Sequence, residues 1–454
     1  MRRILWFRRD LRVEDNTLLS FGGEVLPIFI FDENILKELP ENDKRVGFIF
    51  LHVEKLKENL REIGLDLAIF YGKPDDVFKY ILGQTRIDEV CASGDYEGYA
   101  KQRDIEVSRL VDFNMLHETY IFKPDEVLKD DGSPYLVFTP FYNRAKTLFG
   151  SSHTLASEIK SSSLIRFDYS KIHQIKDSKA TLLNLDINQI GFLKSQSGIE
   201  DVQTLLERFK INIKEYKQNR DFISTCYTSG LSVHLRFGTI GIKGLLRWLD
   251  ERKKDGIDTE PFLRQLIFRE YYAYLLYHFQ HASTKNFKYK FYGLQNSAYF
   301  EAFTGAKTGV PIVDAGVNEL LQTGVMHNRV RMICASFFTK DLLLPWQDGE
   351  RFFASHLLDY DAASNIFSWQ WSSGTGVDPQ PYFRIFNPYL QGKKFDKDAI
   401  YIKRWLPQLH DVEPKNIHDE QFLLNVTIKD YPRPVIVHKE AKERALNYYK
   451  KSVI

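Results

Sequence analysis

Short apolar runs alternating with helix-length segments constrain this chain more than any other feature. Ile4–Phe7, Val25–Phe31, Leu65–Tyr71 and Glu89–Ala92 have the length of buried strands. Between the second and third of them, Phe48, Leu51, Leu56 and Leu60 mark a helix with charges on its other face. Strands separated by helices form parallel βαβ units with both sheet faces covered. No GxGxxG follows any of these strands, so a dinucleotide site of the Rossmann type is not supported. From residue 130 to 200 the pattern weakens, and Ser161–Ser163 reads as a surface connection. Beyond 200 the helical period dominates. After Pro261, the residues Leu263, Leu266, Ile267, Tyr271, Leu275 and Phe279 follow it, and 325–344 behaves likewise. The fold class expected is α/β: a Rossmann-like parallel-sheet domain over 1–130, a linker over 131–200, and an all-helical domain over 201–454.

Bulk composition excludes more than it identifies. A chain of 454 residues has length for two or three domains, each burying its own core. Its 62 basic and 60 acidic residues leave a net charge of +2, so any nucleic-acid site must be a local patch. Aromatic content of 14% fits either a bulky core or stacking surfaces for planar ligands. Cys91, Cys226 and Cys334 are odd in number and lack metal-type spacing, which fits free thiols in a reducing compartment and no metal site. The apolar run Ile4–Phe7 is too short for a signal peptide, and nothing approaches a span of about 20 apolar residues. The expectation is a cytoplasmic protein with no membrane partner.

Residues 359–396 read DYDAASNIFSWQWSSGTGVDPQPYFRIFNPYLQGKKFD, too rich in aromatic, polar and turn residues for an ordinary core helix. LWFRRDLRVEDN opens the chain, TSGLSVHLRFGTIG occupies 228–241, GVPIVDAGVNELLQTGVMHNRVRMICASFFTKDLLLPW occupies 309–346, and YPRPVIVHKEAKERALNYYK lies near the end. In order and spacing these segments resemble the DNA photolyase and cryptochrome family, most closely its class I-type cyclobutane pyrimidine dimer photolyases. The resemblance covers essentially the whole chain. The chain stops soon after the last motif, without the long tail of many signalling cryptochromes.

The resemblance implies an FAD cofactor and assigns roles that the residues alone leave open. Thr228, Ser229 and Ser232 offer hydroxyls and Gly230 a close backbone approach, which taken alone also describes a helix cap and turn. By resemblance Tyr216, Thr228, Ser229, Gly230, Leu231 and Ser232 hold the FAD phosphates. Family members often carry Arg where this chain has Gly230, which leaves the diphosphate charge to another residue such as Arg269. On a helix Asn328, Arg329 and Met332 share one face, while Arg331 points about 200° from Arg329. A solvated basic face with a core Met fits that pattern equally well. The resemblance sets the first three against the damaged base, with Asn328 also near the cofactor, and pairs Arg331 with Asp359 beside the flavin, Asp361 following. Asn365 alone suits a cap. By resemblance it faces the reactive ring nitrogen of the flavin, where an amide is a very poor proton donor and plant-type cryptochromes carry Asp.

Trp371 and Met332 match the wall of a pocket for a flipped pyrimidine dimer in UV-damaged DNA. Gln265, at once a catalytic and a cofactor position, stands where many dimer photolyases have Glu, and Phe268 where they have Trp. Arg220, Arg384, Gln391 and Lys393 complete the DNA contacts implied. Trp369 and Trp346 match the inner and middle members of an electron relay whose outer member falls at Gly293, leaving Tyr292 as the neighbouring candidate. Tyr99 and Ala100 replace the Asn and Glu of folate-binding members, so the resemblance leaves a deazaflavin, FMN or an empty site open for a second, antenna chromophore. The activity implied is light-driven splitting of cyclobutane dimers by a monomer. The alternatives are a photoreceptor without repair, or repair of (6–4) photoproducts, whose enzymes carry a histidine pair where this chain has only His327.

Overall fold

The computed structural model describes residues 1–40, 43–165, 200–225 and 227–453, so Cys226 and most of 166–200 lie outside the described residues. The chain divides into two compact units: Met1–Pro134, Tyr142–Arg208 and Gly230–His278 form the first, and Tyr135–Phe141, Phe209–Ser229 and Phe279–Ile454 the second. Packing thus groups Gly230–His278 with the sheet, whereas chain pattern alone places that stretch with the later helices.

The first unit is built on a six-stranded sheet: β1 (Arg2–Phe7), β2 (Gly23–Asp32), β3 (Ala68–Gly72), β4 (Glu89–Ser93), β5 (Phe113–Leu116) and β6 (Ser162–Leu164). The order is β3-β2-β1-β4-β5, with β6 also beside β2, and every pairing is parallel. Ile4, Leu5, Trp6 and Phe7 are all buried although successive side chains face opposite ways, so both faces are covered. On one face Ile4, Trp6, Leu26, Ile28, Phe70 and Val90 pack with Val77, Phe78 and Ile81 of the helix Pro74–Gln84. Trp6 meets the Phe78 ring edge-on at 5.0 Å. Ser162 and Ser163, read as a surface connection, instead pair with Gly23 and Glu24. Three edge residues that pair only through their backbone carry no apolar alternation to read.

The opening RRDLR segment ties this unit together. Arg12 donates to the carbonyl of Gly238 (3.0 Å) and to Glu118 (2.6 Å). Asn16 donates to the carbonyls of Asp10 and Arg12. The second unit is helical where it is regular. Its site-bearing elements are the helices Asn328–Ser336, Trp346–His356, Ala362–Ser373 and Pro388–Phe395, the first continuing into a π-helical turn at Phe337–Asp341.

Candidate functional site

The helix Ala362–Ser373 carries the densest set of expected residues. Asp361 caps it by accepting from the backbone N–H of Ser364 at 3.0 Å, and Gly374 ends it in the left-handed region at φ 84°. Asn365 is 8% exposed. Its Nδ2 donates to two acceptors on Glu350, the carboxylate Oε1 at 3.0 Å and the backbone carbonyl at 3.1 Å. Two acceptors fix the amide orientation, leaving Oδ1, an acceptor, as the atom that faces away from Glu350. Glu350 also accepts from the Tyr360 hydroxyl at 3.3 Å, and burial raises its pKa. Sequence reasoning missed Glu350, which sits fifteen residues from Asn365 on another helix with no motif around it.

Further along the helix Trp369 is nearly fully buried, edge-on to Phe353 (4.9 Å) and Phe338 (5.5 Å). A Cβ at Gly349 would lie 2.3 Å from Trp369 Cη2, so only glycine lets the helices Trp346–His356 and Ala362–Ser373 close there. Trp346 lies one turn before Gly349, and its indole N–H donates to Asn286 Oδ1 at 2.8 Å. Between the two family-matching tryptophans of the helix, Gln370 is fully buried. Its Nε2 donates to the carbonyls of Ala282 (2.7 Å) and Lys285 (3.1 Å), and its Oε1 accepts from the N–H of Phe287 (3.0 Å). The segment bearing Asn286 is therefore pinned to both Trp346 and the helix. Gly293, matched to an outer tryptophan, is not merely without a side chain. A Cβ there would lie 2.1 Å from the backbone nitrogen of Pro345. Tyr292 beside it is 62% exposed.

The helix Asn328–Ser336 divides its residues largely as expected. One nitrogen of Arg331 reaches both oxygens of Asp359, at 3.0 and 2.9 Å, and its Nε donates to the carbonyl of Met326. The Asn328 amide meets Met332 Sδ at 3.8 Å, one turn on. Arg329, expected on the same face, pairs with Asp221 at 2.8 Å and lies 4.4 Å over the Phe395 ring. His327 is the N-cap, its Nδ1 accepting from the N–H of Arg329, and loss of hydration lowers its pKa to about 4. Tyr216 is buried, with the Arg220 guanidinium 5.8 Å over its ring. Trp371 and Gln391 are half-buried, and Asn328, Arg384, Lys393 and Lys394 are exposed.

In the first unit Gln265, Phe268 and Arg269 follow one another on the helix Glu260–His278, all half-buried, with Phe268 edge-on to Tyr272 at 5.6 Å. Arg269, expected to answer a diphosphate, is engaged otherwise. It donates to the carbonyls of Thr119 (2.9 Å) and Leu235 (3.4 Å) and stacks over Tyr120 at 4.6 Å. Leu231 is buried and Ser232 begins the short helix Ser232–Phe237. At the carboxyl ends of β1 and β4, where strand order reverses, Arg8 and Arg103 both lie over the Trp6 ring, at 4.7 and 4.8 Å. Tyr99 donates to Asp32 at 2.7 Å, at the end of β2. Among the described residues no group of three or more His, Cys, Asp or Glu is placed to hold a metal ion, and no helix is long and apolar enough to cross a membrane.

This pairing of a parallel-sheet unit with a helical one, and the constellation on the helix Ala362–Ser373, belong to a known family. Residues 3–158 match the family model described as DNA photolyase, and residues 262–451 the FAD binding domain of DNA photolyase. The chain belongs to the DNA photolyase family. It is 33% identical to the deoxyribodipyrimidine photo-lyase of Alkalihalophilus pseudofirmus over 99% of this chain and 98% of that one, and 34% identical to that of Escherichia coli over 98% of each. Among solved structures it is similar to a bacterial class III photolyase from Agrobacterium tumefaciens, with TM-score 0.87, 31% identity, and 100% and 98% of the two chains covered. An archaeal photolyase from Sulfolobus tokodaii with two FAD molecules gives TM-score 0.82 and 29% identity, over 99% of this chain and 100% of that one.

Proposed function

We propose that this chain is a light-driven, FAD-dependent lyase that splits cyclobutane pyrimidine dimers in DNA. The observation that carries the reading is the helix Ala362–Ser373, which holds the Asn365 amide in one fixed orientation and buries Trp369 among aromatic rings, in a chain similar along its whole length to deoxyribodipyrimidine photo-lyases. When bound, reduced FAD supplies the photoexcited electron that opens the dimer and then returns. The chain's own residues do the rest. Tyr216, Thr228, Ser229 and the backbone of Gly230–Ser232 bind the cofactor's phosphates. Asn365 presents Oδ1 to the reactive ring nitrogen and can only accept a proton's hydrogen bond there, while Glu350 prevents the amide from turning over. The Arg331–Asp359 pair and the capping Asp361 set fixed charge near the flavin. Trp369 and Trp346 pass in the electrons that keep the cofactor reduced.

In the helical unit Asn328, Met332 and Trp371 meet the damaged DNA, with the dimer flipped out of the duplex as photolyases do generally. Gln265 and Phe268 are the first unit's own candidates for contact with the lesion. Arg220, Arg384, Gln391 and Lys393 hold phosphates, which lets a near-neutral chain bind DNA through a local patch. Arg329 joins them only to the extent that Asp221 releases it. The cytoplasm and a monomeric state suit such an enzyme. The Sulfolobus tokodaii relative, solved with two FAD molecules, supports a second, light-harvesting flavin at the reversal between β1 and β4, and Tyr99 and Ala100 argue against folate. Repair of (6–4) photoproducts is disfavoured by His327, whose cap role and pKa of about 4 leave no imidazolium to act as an acid near neutral pH. Illuminating the reduced protein with oligonucleotides carrying each lesion tests the reading. Cyclobutane dimers should be restored and (6–4) photoproducts left. Restoration of neither would favour a photoreceptor.

A further inference from the structure

The loop that receives the cofactor's phosphates in this reading has no cation of its own. Gly230 sits at φ +70°, a left-handed conformation that favours glycine, and a Cβ there would lie 2.9 Å from Leu205 Cδ2, which would have to shift. Arg269, the basic residue that sequence suggests in compensation, is engaged by the carbonyls of Thr119 and Leu235. A different guanidinium is already at the glycine. The same Cβ position lies 3.6 Å from an Nη2 of Arg208. Leu205 and Arg208 stand three apart on the helix Val202–Asn212, and both reach Gly230 from one face of it. Glu200 holds the other terminal nitrogen of Arg208 at 2.6 Å. Nη2 has no protein acceptor among the described residues.

We infer that Arg208 supplies the positive charge for a phosphate bound at the 228–232 loop, coming from the preceding helix to do what a basic side chain at position 230 would do from within the loop. The inference rests on the FAD reading above. The geometry gives it three parts: a glycine whose left-handed φ disfavours a side chain, a guanidinium 3.6 Å from where that side chain's Cβ would lie, and a carboxylate on the guanidinium's far end that orients it. An ordinary surface ion pair with Glu200 would explain the last of these alone. Such pairs contribute little to folding, so removing Arg208 should leave the fold intact.

The test uses the full chain loaded with FAD, with release followed by the rise in flavin fluorescence on dilution at several salt concentrations. Arg208→Gln should raise the FAD dissociation constant by about tenfold, the scale of losing one charge-assisted phosphate contact. It should also flatten the dependence on salt. Arg208→Lys should recover part of the affinity and most of the salt dependence. Glu200→Gln should weaken FAD by less than Arg208→Gln and keep the salt dependence, because the Arg208 charge remains while its orienting carboxylate is gone. The melting temperature of the flavin-free chains should not change. If Arg208→Gln retains FAD like the wild type with the same salt dependence, the inference fails while the FAD reading stands. If it weakens FAD only in step with a lowered flavin-free melting temperature, Arg208 is a structural residue and the inference also fails. A wild-type chain that holds no FAD would overturn the underlying reading itself.

Discussion

Every side chain of the strand stretch Ile4–Phe7 is buried and apolar, whereas the helix Ala362–Ser373 buries Asn365, Gln370, Ser372 and Ser373 among its aromatic residues. The strand needs only complementary apolar volume, which many side chains can supply. The helix needs named partners: Glu350 for Asn365, three backbone groups for Gln370, and Thr375 for the Ser373 hydroxyl at 2.7 Å. Buried polar groups without partners are costly, so such a helix specifies the positions of the segments around it as well as its own. Stability resides in the first kind of interior, and chemistry is positioned by the second.

The comparison breaks most visibly at Gln370. Gln370→Leu keeps the volume but leaves the carbonyls of Ala282 and Lys285 and the N–H of Phe287 without their partner. It should destabilise the protein by about 3 kcal/mol or more, against about 1 kcal/mol for Ile4→Val in the sheet. Urea denaturation of the two variants should separate them by that margin, and equal losses would end the distinction.

Lys340 offers a sharper version. It is fully buried, donates to the carbonyl of Ser373 at 3.0 Å, and lies 3.9 Å over the Tyr449 ring. Burial lowers its pKa from 10.5 to about 7. The unfolded chain then holds this proton more tightly than the folded one between those two values. Stability must therefore rise with pH across that window, by at most about 1.4 kcal/mol per pH unit. Lys340→Met should lose this rise, as seen by denaturation at pH 7 and at about pH 10. A slope shared by wild type and variant would mean that Lys340 stays charged in the folded state.

The smallest effect on stability is expected at Glu350. Glu350→Leu removes one of two acceptors for Asn365 Nδ2 and leaves the backbone carbonyl. It should cost about 1 kcal/mol or less, yet loosen the amide, which keeps a single acceptor in place of two. Photoreduction of bound FAD should then slow and vary with pH differently from the wild type. An unchanged pH profile would remove Glu350 from the positioning of Asn365.

What the sequence disclosed follows the same division. Local periodicity was enough for the helix Glu260–His278, for four of the strands, and for separating Arg331 from Asn328 and Met332. The Arg331–Asp359 pair was legible only through family resemblance, since nothing in either segment announces the other. β5 is only four residues, FNML, and none of them is fully buried, too short a run to stand out, and β6 is two serines and a leucine, so it carries no apolar signature. Arg269 and Arg208 look alike in sequence. Only packing shows that the first bonds two carbonyls and that the second, held at one end by Glu200, reaches Gly230 with the other. Gln370 could have been suspected as an amide flanked on both sides by tryptophans. Arg329 could not, because Asp221 lies more than a hundred residues away.

Light-dependent restoration of an oligonucleotide carrying one cyclobutane dimer tests the central claim most directly, with Trp369→Phe measured beside the wild type. Chemically pre-reduced samples of both should restore the dimer at similar rates, because the relay is not needed once the flavin is reduced. Starting from oxidised FAD with an external thiol, only the wild type should do so. No restoration by the pre-reduced wild type would contradict the function proposed. Equal restoration by both from the oxidised state would contradict the part given to the helix Ala362–Ser373.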